Sequence, residues 1–156
     1  MKNKFHNIIE PEGYKKGSEL VQDTNKHQVF LDVNSMMSLN DSRGHLVGDE
    51  YLTFVMQTIV TEFSFSTNNC NIENKYYRVI GNLFVVTHNI DFLNTEGILR
   101  EINGILSRYC YARGFIDAPY KKFHDYYRLT GVWGLKQPFN ILEEKLHNEK
   151  VKRRAS

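Results

Sequence analysis

The chain has 156 residues and a formal net charge of +2, a length that fits a single domain, residues 1–156, with a hydrophobic core of its own. This near balance of charge implies no general attraction to nucleic acid or to membranes, and the two cysteines lack the spacing of a disulfide framework or a zinc site. The sequence shows no signal-peptide pattern and no apolar run of membrane-spanning length, so we expect a cytoplasmic protein without membrane contact.

The first elements predicted along the chain are a helix, a buried strand and a short helical turn. Residues 14–24 are compatible with a short helix. The continuous apolar run over residues 28–33 is typical of a central strand that is covered on both faces. Asn34 or Ser35 is then placed to cap a short helical turn.

A loop and a longer helix are predicted next. Residues 40–44 form a dense cluster of turn-forming residues, which favours a loop. From residue 48 to about residue 62 the apolar residues recur at i, i+3, i+4 and i+7. This is the pattern of an amphipathic helix that buries one face.

The middle of the chain predicts a β-hairpin. Two runs rich in β-forming residues, 76–80 and 83–87, are separated by Gly81 and Asn82. Two strands joined by two residues with glycine first are typical of a tight turn, here of type II′.

The remaining sequence predicts a helix, a strand and a last helix. Asn94 or Thr95 can cap a helix whose apolar residues continue to residue 109. A strand is predicted from residue 123 to about residue 132, and Pro138 is well placed as the first residue of the last helix.

This order of elements contains β-α-β-β-α-β, which predicts an α+β fold with a ferredoxin-like or palm core over about residues 28–150 and additional helices at the ends. Right-handed crossovers would place both long helices on one face of the sheet. The topology is shared by many nucleotide-handling palm domains, although a fold alone does not assign a chemistry.

One stretch of sequence resembles a known family. It contains four short motifs in a fixed order: Asp32-x-Asn34, Asn40-Asp41, Gly44-His45 and Gly48-Asp49. Together they resemble the first half of the GGDEF, or diguanylate cyclase, domain, which makes cyclic di-GMP from two GTP molecules held by the two halves of a homodimer. The resemblance therefore implies a GTP site, a magnesium ion and a second copy of the chain.

The resemblance also assigns roles to individual residues. Asp32 would be a carboxylate ligand of magnesium, and Val33 would offer its carbonyl to the same ion. Asn40 and Asp49 would bind the guanine edge, since an amide and a carboxylate together match the acceptor and the donors of that base. The last helix loosely resembles the corresponding helix of the family, and this places Lys150 and Arg154 at phosphate-contacting positions.

The motif that gives the family its name departs from the family pattern. It would occupy the hairpin turn, where the sequence reads Ile80-Gly81-Asn82-Leu83-Phe84. Asn82 and Leu83 stand at the two positions that are acidic in active cyclases. Leucine cannot bind a metal and asparagine is a poor substitute for an anionic ligand, so we expect a loss of ~10³-fold or more in rate.

Further departures agree with this interpretation. Asn34 replaces a second aspartate of the family, Met37 replaces a lysine, and the product-binding R-x-x-D is absent from residues 71–74. The sequence therefore predicts a degenerate, non-catalytic GGDEF-like domain that acts as a regulatory or adaptor module and binds GTP.

Two alternatives from other functional classes remain open at this point. One is an active diguanylate cyclase whose acids are supplied from elsewhere, for example Glu50 or Glu73. The other is a protein- or RNA-interaction domain that binds no nucleotide and uses the basic tail at residues 150–154.

Outside the family pattern each motif also has an ordinary structural role. Asp32 could cap the following turn, and Asn40 with Asp41 could belong to a simple turn. Asp49 would be favourable near the positive end of a helix dipole.

Overall fold

The computed structural model describes residues 14–16, 27–67, 74–80, 83–88, 93–116, 127–135 and 139–155. Its elements in chain order are β1 (Tyr14–Lys16), β2 (His27–Val33), α1 (Met36–Arg43), α2 (His45–Ser66), β3 (Lys75–Ile80), β4 (Leu83–His88), α3 (Thr95–Ala112), β5 (Leu129–Leu135) and α4 (Phe139–Ala155). No helix in these ranges is long and apolar enough to cross a membrane.

The strands form one five-stranded mixed sheet in the order β1-β3-β4-β2-β5. The short edge strand β1 runs parallel to β3, and the other neighbouring strands are antiparallel. From β2 to β5 the chain follows β-α-β-β-α-β, with α1 and α2 in the first crossover and α3 in the second. The predicted α+β fold with a ferredoxin-like core is therefore confirmed.

Each face of the sheet is covered by helices. Val29, Leu31 and Val33 of β2 point into the main core, which α1, α2 and α3 close. Phe30 points to the opposite face and packs in a smaller cluster with Leu142 of α4. Because successive residues of a strand face opposite sides, a strand covered on both sides is apolar at nearly every position. This explains the continuous apolar run of β2 and confirms the placement of both long helices on one face.

The predicted helix over residues 14–24 is wrong at its start. Tyr14–Lys16 is a strand that pairs with β3 in the register Tyr14–Tyr76. The Tyr14 hydroxyl donates to the carbonyl of Met56 on α2, at 3.0 Å, and its ring lies 5.7 Å from that of Tyr76. These tertiary contacts outweigh the weak local helix preference. Residues 17–24 lie outside the described residues.

The loop predicted at residues 40–44 is also wrong, because α1 continues to Arg43 and α2 begins immediately afterwards at His45. Gly44 separates the two helices with φ 89°, a conformation that glycine adopts at little cost, and its N–H donates to the carbonyl of Asn40 at 2.8 Å. A single glycine thus provides the whole turn. α2 also extends beyond its predicted end, to Ser66.

The two predicted helix caps have different outcomes. Asn94 caps α3 as predicted, since its side chain accepts a hydrogen bond from the N–H of Gly97 at 2.9 Å. The side chain of Ser35 makes no capping bond to α1. The side-chain oxygen of Asn34 accepts instead from the hydroxyl of Thr130 on β5, at 2.9 Å.

The strands of the hairpin are confirmed as β3 and β4. β5 begins at Leu129, so residues 127 and 128 of the strand predicted over 123–132 are not part of it. Asn103 of α3 sets this start, because its side chain exchanges two hydrogen bonds with the backbone of Leu129. The hairpin turn at Gly81 and Asn82, the first part of the predicted last strand and Pro138 lie outside the described residues.

Candidate functional site

The carboxylate of Asp32 lies near the end of β2, on the face of the sheet that α4 covers. In the backbone register Asp32 is flanked by Leu83 of β4 and Thr130 of β5. Its Oδ2 atom lies 2.7 Å from the Nζ atom of Lys150 on α4, and the two side chains are only 18% and 21% exposed. The structure thus brings a predicted metal ligand and a predicted phosphate-contacting cation together as an ion pair.

Leu83 makes the sheet surface beside Asp32 apolar. It is the cross-strand neighbour of Asp32 and packs, half-buried, against the cluster formed by Phe30, Val85 and Leu142. A leucine held in this way supplies no ligand to a cation. Asn82, the other residue at a family acid position, lies outside the described residues.

Binding of a magnesium ion by the Asp32 carboxylate and the Val33 carbonyl stays a prediction. Val33 is the last residue of β2, and its side chain is buried in the main core. Magnesium prefers oxygen ligands and is commonly held by one or two carboxylates together with substrate phosphates. Within the described residues no group of three or more His, Cys, Asp or Glu side chains is placed to hold a metal ion. Among the described residues the donor set is therefore small, and the one carboxylate predicted for it is already engaged by Lys150.

A second polar position lies at the junction of α1 and α2. The side-chain oxygen of Asn40 is buried and has no hydrogen-bond partner in the described part of the chain. It lies against Gly48, where a β-carbon would come within 1.8 Å of it. The next residue, Asp49, is only 4% exposed and follows the first turn of α2. The structure therefore places the amide of Asn40 against the turn that carries the Asp49 carboxylate.

Of the two phosphate-contacting positions predicted on the last helix, only Lys150 has a described side chain. Lys150 lies in the part of α4 that packs on the sheet and reaches Asp32. The backbone of α4 extends beyond Arg154 to Ala155, but the Arg154 side chain lies outside the described residues. Its predicted role stays a prediction.

The thiol of Cys110 is buried in the core. Cys110 of α3 is 2% exposed, and burial raises the pKa of its thiol to about 11. The thiolate is the reactive form of cysteine, so this side chain remains protonated and inert at neutral pH. We assign it to the core.

A pair of histidines that no sequence motif indicated lies at the other end of the sheet. His27 of β2 and His88 of β4 are cross-strand partners whose rings stack with centroids 4.9 Å apart and an interplanar angle of 3°. Burial, and after it the neighbouring His27, lowers the pKa of His88 from 6.5 to about 4. Extending the predicted hairpin and β2 by one residue each would have revealed this pair.

Comparison with known proteins gives structural matches only. No family model matches the sequence. The search of curated proteins finds no relative. Among solved structures, diguanylate cyclase SiaD from Pseudomonas aeruginosa, in complex with its activator SiaC, matches with a TM-score of 0.52 and 13% identity over 83% of this chain. The chain has a GGDEF-like fold. It spans 46% of the SiaD chain.

Two further solved structures match over a similar part of this chain. A diguanylate cyclase/phosphodiesterase from Caldicellulosiruptor saccharolyticus has a TM-score of 0.49 and 14% identity, with 85% of this chain and 71% of that chain covered. The GGDEF domain of YfiN from Pseudomonas aeruginosa has a TM-score of 0.49 and 17% identity, with 84% and 77% covered.

Proposed function

We propose that this chain is a GTP-binding, non-catalytic module with a GGDEF-like fold and a regulatory or adaptor role. The observation that carries the proposal is the buried side-chain oxygen of Asn40, which has no hydrogen-bond partner among the residues that the structure describes. An unsatisfied buried polar atom costs about 1–3 kcal/mol, and a ligand that supplied the missing donor would recover that cost.

Guanine offers the donors that this position lacks. Its Watson–Crick edge presents an N–H and an adjacent amino group, and these can bond to the Asn40 oxygen and to the carboxylate of Asp49. Adenine presents a ring nitrogen acceptor at the corresponding place, which a carboxylate would repel. The pair therefore favours guanine over adenine.

The triphosphate would extend toward the end of β2 and α4. Lys150 and Arg154 are the proposed phosphate contacts, and Asp32 with the Val33 carbonyl is the proposed position of a magnesium ion in the nucleotide-bound state. Occupation of both positions requires Lys150 to leave Asp32 for the phosphates, because the ammonium now bonds that carboxylate. Asp32 and Lys150 thus serve binding, not bond making.

The proposed absence of catalysis rests on the residue beside Asp32. Metal-assisted phosphoryl transfer depends on anionic ligands that place the cations and stabilise the developing charge. Here Leu83 packs in an apolar cluster next to Asp32 and offers no anionic ligand. We expect no cyclic di-GMP when the protein is incubated with GTP and Mg²⁺ or Mn²⁺, and accumulation of that product would overturn the non-catalytic assignment.

Calorimetry with three nucleotides tests the binding part. We expect GTP to bind, inosine triphosphate to bind more weakly because it lacks the amino group, and ATP not to bind. Asn40→Ala and Asp49→Asn should each weaken GTP binding by about tenfold or more, the effect of losing about 1.4 kcal/mol. Asp41→Asn, on the exposed side of α1, is the matched control and should bind as the wild type does. Equal binding of GTP by Asp49→Asn would contradict the proposal.

The regulatory or adaptor role requires a protein partner or a second copy of the chain. SiaD shows that a protein of this fold can form a complex with a regulatory protein, its activator SiaC. Size-exclusion chromatography with light scattering, with and without GTP, would show whether nucleotide changes the assembly state. An active cyclase needs a dimer to bring two GTP molecules together, so a monomer under all conditions agrees with the non-catalytic assignment.

A further inference from the structure

The contact between Asp32 and Lys150 joins two residues that are 118 positions apart in sequence. We propose that Lys150 is a built-in counter-cation that closes the Asp32 carboxylate to divalent metal ions in the nucleotide-free protein. A metal ion would then bind at Asp32 only when Lys150 leaves it. This inference goes beyond the proposed function and does not depend on GTP binding.

The fold itself positions the lysine. Leu142, Leu146 and Lys150 recur at i, i+4 and i+8, so they lie along one face of α4. The two leucines are buried against the sheet in the cluster that contains Phe30. On β2, Phe30 and Asp32 are two residues apart and share the same face. The ion pair is therefore the next contact along a row that apolar packing has already aligned.

The geometry makes the two cations compete for one carboxylate. At 2.7 Å the ammonium forms a charge-assisted hydrogen bond of full strength with Oδ2. A divalent ion on the same carboxylate would lie within a few ångströms of this ammonium, where like charges repel strongly in a partly buried setting. The side chains of Asp32 and Lys150 are about one-fifth exposed, so water and salt screen this repulsion incompletely.

The surroundings give a metal ion little compensation for that repulsion. Leu83, beside Asp32 in the sheet, offers no ligand, and no cluster of three ligating side chains occurs in the described parts of the chain. A magnesium or manganese ion that bound at Asp32 without nucleotide phosphates would face the ammonium of Lys150. Lys150 therefore holds the advantage in the free protein.

Titration with Mn²⁺ alone, followed by electron paramagnetic resonance of the free ion, tests the proposal directly. We expect little binding by the wild type and an affinity increase of at least about tenfold in Lys150→Met, which keeps the apolar stem and removes the charge. Asp32→Asn combined with Lys150→Met should abolish the gain. Lys152→Met, an exposed lysine of the same helix, is the matched control and should resemble the wild type.

A measurement on the wild type keeps the test independent of how the variants fold. Under limiting acetylation, Lys150 should react more slowly than Lys152, and a large excess of Mn²⁺ should accelerate the reaction of Lys150 alone. Wild-type Mn²⁺ binding as tight as that of Lys150→Met would overturn the proposal, as would equal acetylation rates of the two lysines. Because no nucleotide is present, neither result bears on GTP binding.

Discussion

The side-chain oxygen of Asn40 lies so close to Gly48 that a β-carbon at position 48 would come within 1.8 Å of it. The same β-carbon would lie 3.5 Å from the Met36 side chain, which is ordinary contact. With the Asn40 side chain in this position, there is no room for a β-carbon at residue 48. The glycine of the Gly48-Asp49 motif is explained by this close approach of α1 and α2, since its backbone is that of an ordinary helix.

Substitution of Gly48 tests this relationship. Gly48→Ala should displace the Asn40 side chain and lower the free energy of unfolding by about 1–3 kcal/mol, the usual cost of overpacking. Gly104→Ala in α3 is the matched control, since its β-carbon would meet only Arg108 at 3.6 Å. That change should stabilise the protein by about 0.5–1 kcal/mol, because alanine is the better helix former. Urea denaturation of both variants measures the difference, and equal effects would contradict the assignment.

Asn103 is expected to be among the most sensitive polar residues of the core. Its side chain donates to the carbonyl of Leu129 at 3.0 Å and accepts from the N–H of Leu129 at 2.8 Å. Asn103→Ala leaves both backbone groups buried without these partners, which should cost about 2–4 kcal/mol. Glu101→Ala, on the exposed side of α3, should change stability by less than about 0.5 kcal/mol. Similar unfolding midpoints for the two variants would show that β5 does not depend on this contact.

The sequence allowed prediction of the elements whose apolar pattern is strong. The continuous apolar run of β2 predicted a strand covered on both faces, and its residues pack in a core on each face. α3 has a clear apolar stripe, with Asn94 as its cap. The strand pairing of the hairpin followed from its composition. In these cases the local preference and the tertiary packing favour the same structure.

The predictions of secondary structure failed where tertiary contacts decide the conformation. Tyr14–Lys16 became a strand through contacts with β3 and α2, which no local pattern encodes. Residues 40–43 have turn-forming side chains, yet they remain helical because Gly44 alone makes the turn. The start of β5 depends on the distant Asn103.

The candidate site shows the same division. The family resemblance gave the identities of Asp32, Asn40 and Asp49, whose motifs lie within one short stretch. The ion pair of Asp32 with Lys150 could not be derived, because it depends on how α4 packs on the sheet. Sequence patterns locate residues on elements, whereas contacts between distant elements require the packing itself.

Packing of α4 can be tested with two neighbouring residues. Leu142 is fully buried against Phe30, whereas Ile141 is 39% exposed. Leu142→Ala should lower the free energy of unfolding by about 2–5 kcal/mol through lost burial and a cavity, and Ile141→Ala should cost far less. Leu142→Ala should also raise the acetylation rate of Lys150, because the helix that positions this lysine is loosened. A protected Lys150 in that variant would show that the ion pair forms independently of the leucine row.

The histidine pair predicts how stability depends on pH. In the folded protein burial, with a further contribution from His27, lowers the pKa of His88 to about 4, whereas the unfolded chain takes up this proton near pH 6.5. Between these values the unfolded state binds more protons, so the free energy of unfolding decreases as the pH falls from 6.5 toward 4. The loss attributable to His88 is up to about 3 kcal/mol, and it is absent above pH 6.5.

Comparison of the wild type with His88→Phe isolates this contribution. Phenylalanine fills a similar volume and does not titrate, so the variant should lose less stability than the wild type between pH 6.5 and pH 4. Carboxylates contribute to acid unfolding in both proteins, and their effect cancels in the difference between the two curves. His147→Gln, on the exposed side of α4, should follow the wild-type curve. Parallel curves for the wild type and His88→Phe would mean that His88 is protonated at the same pH in the folded and unfolded states.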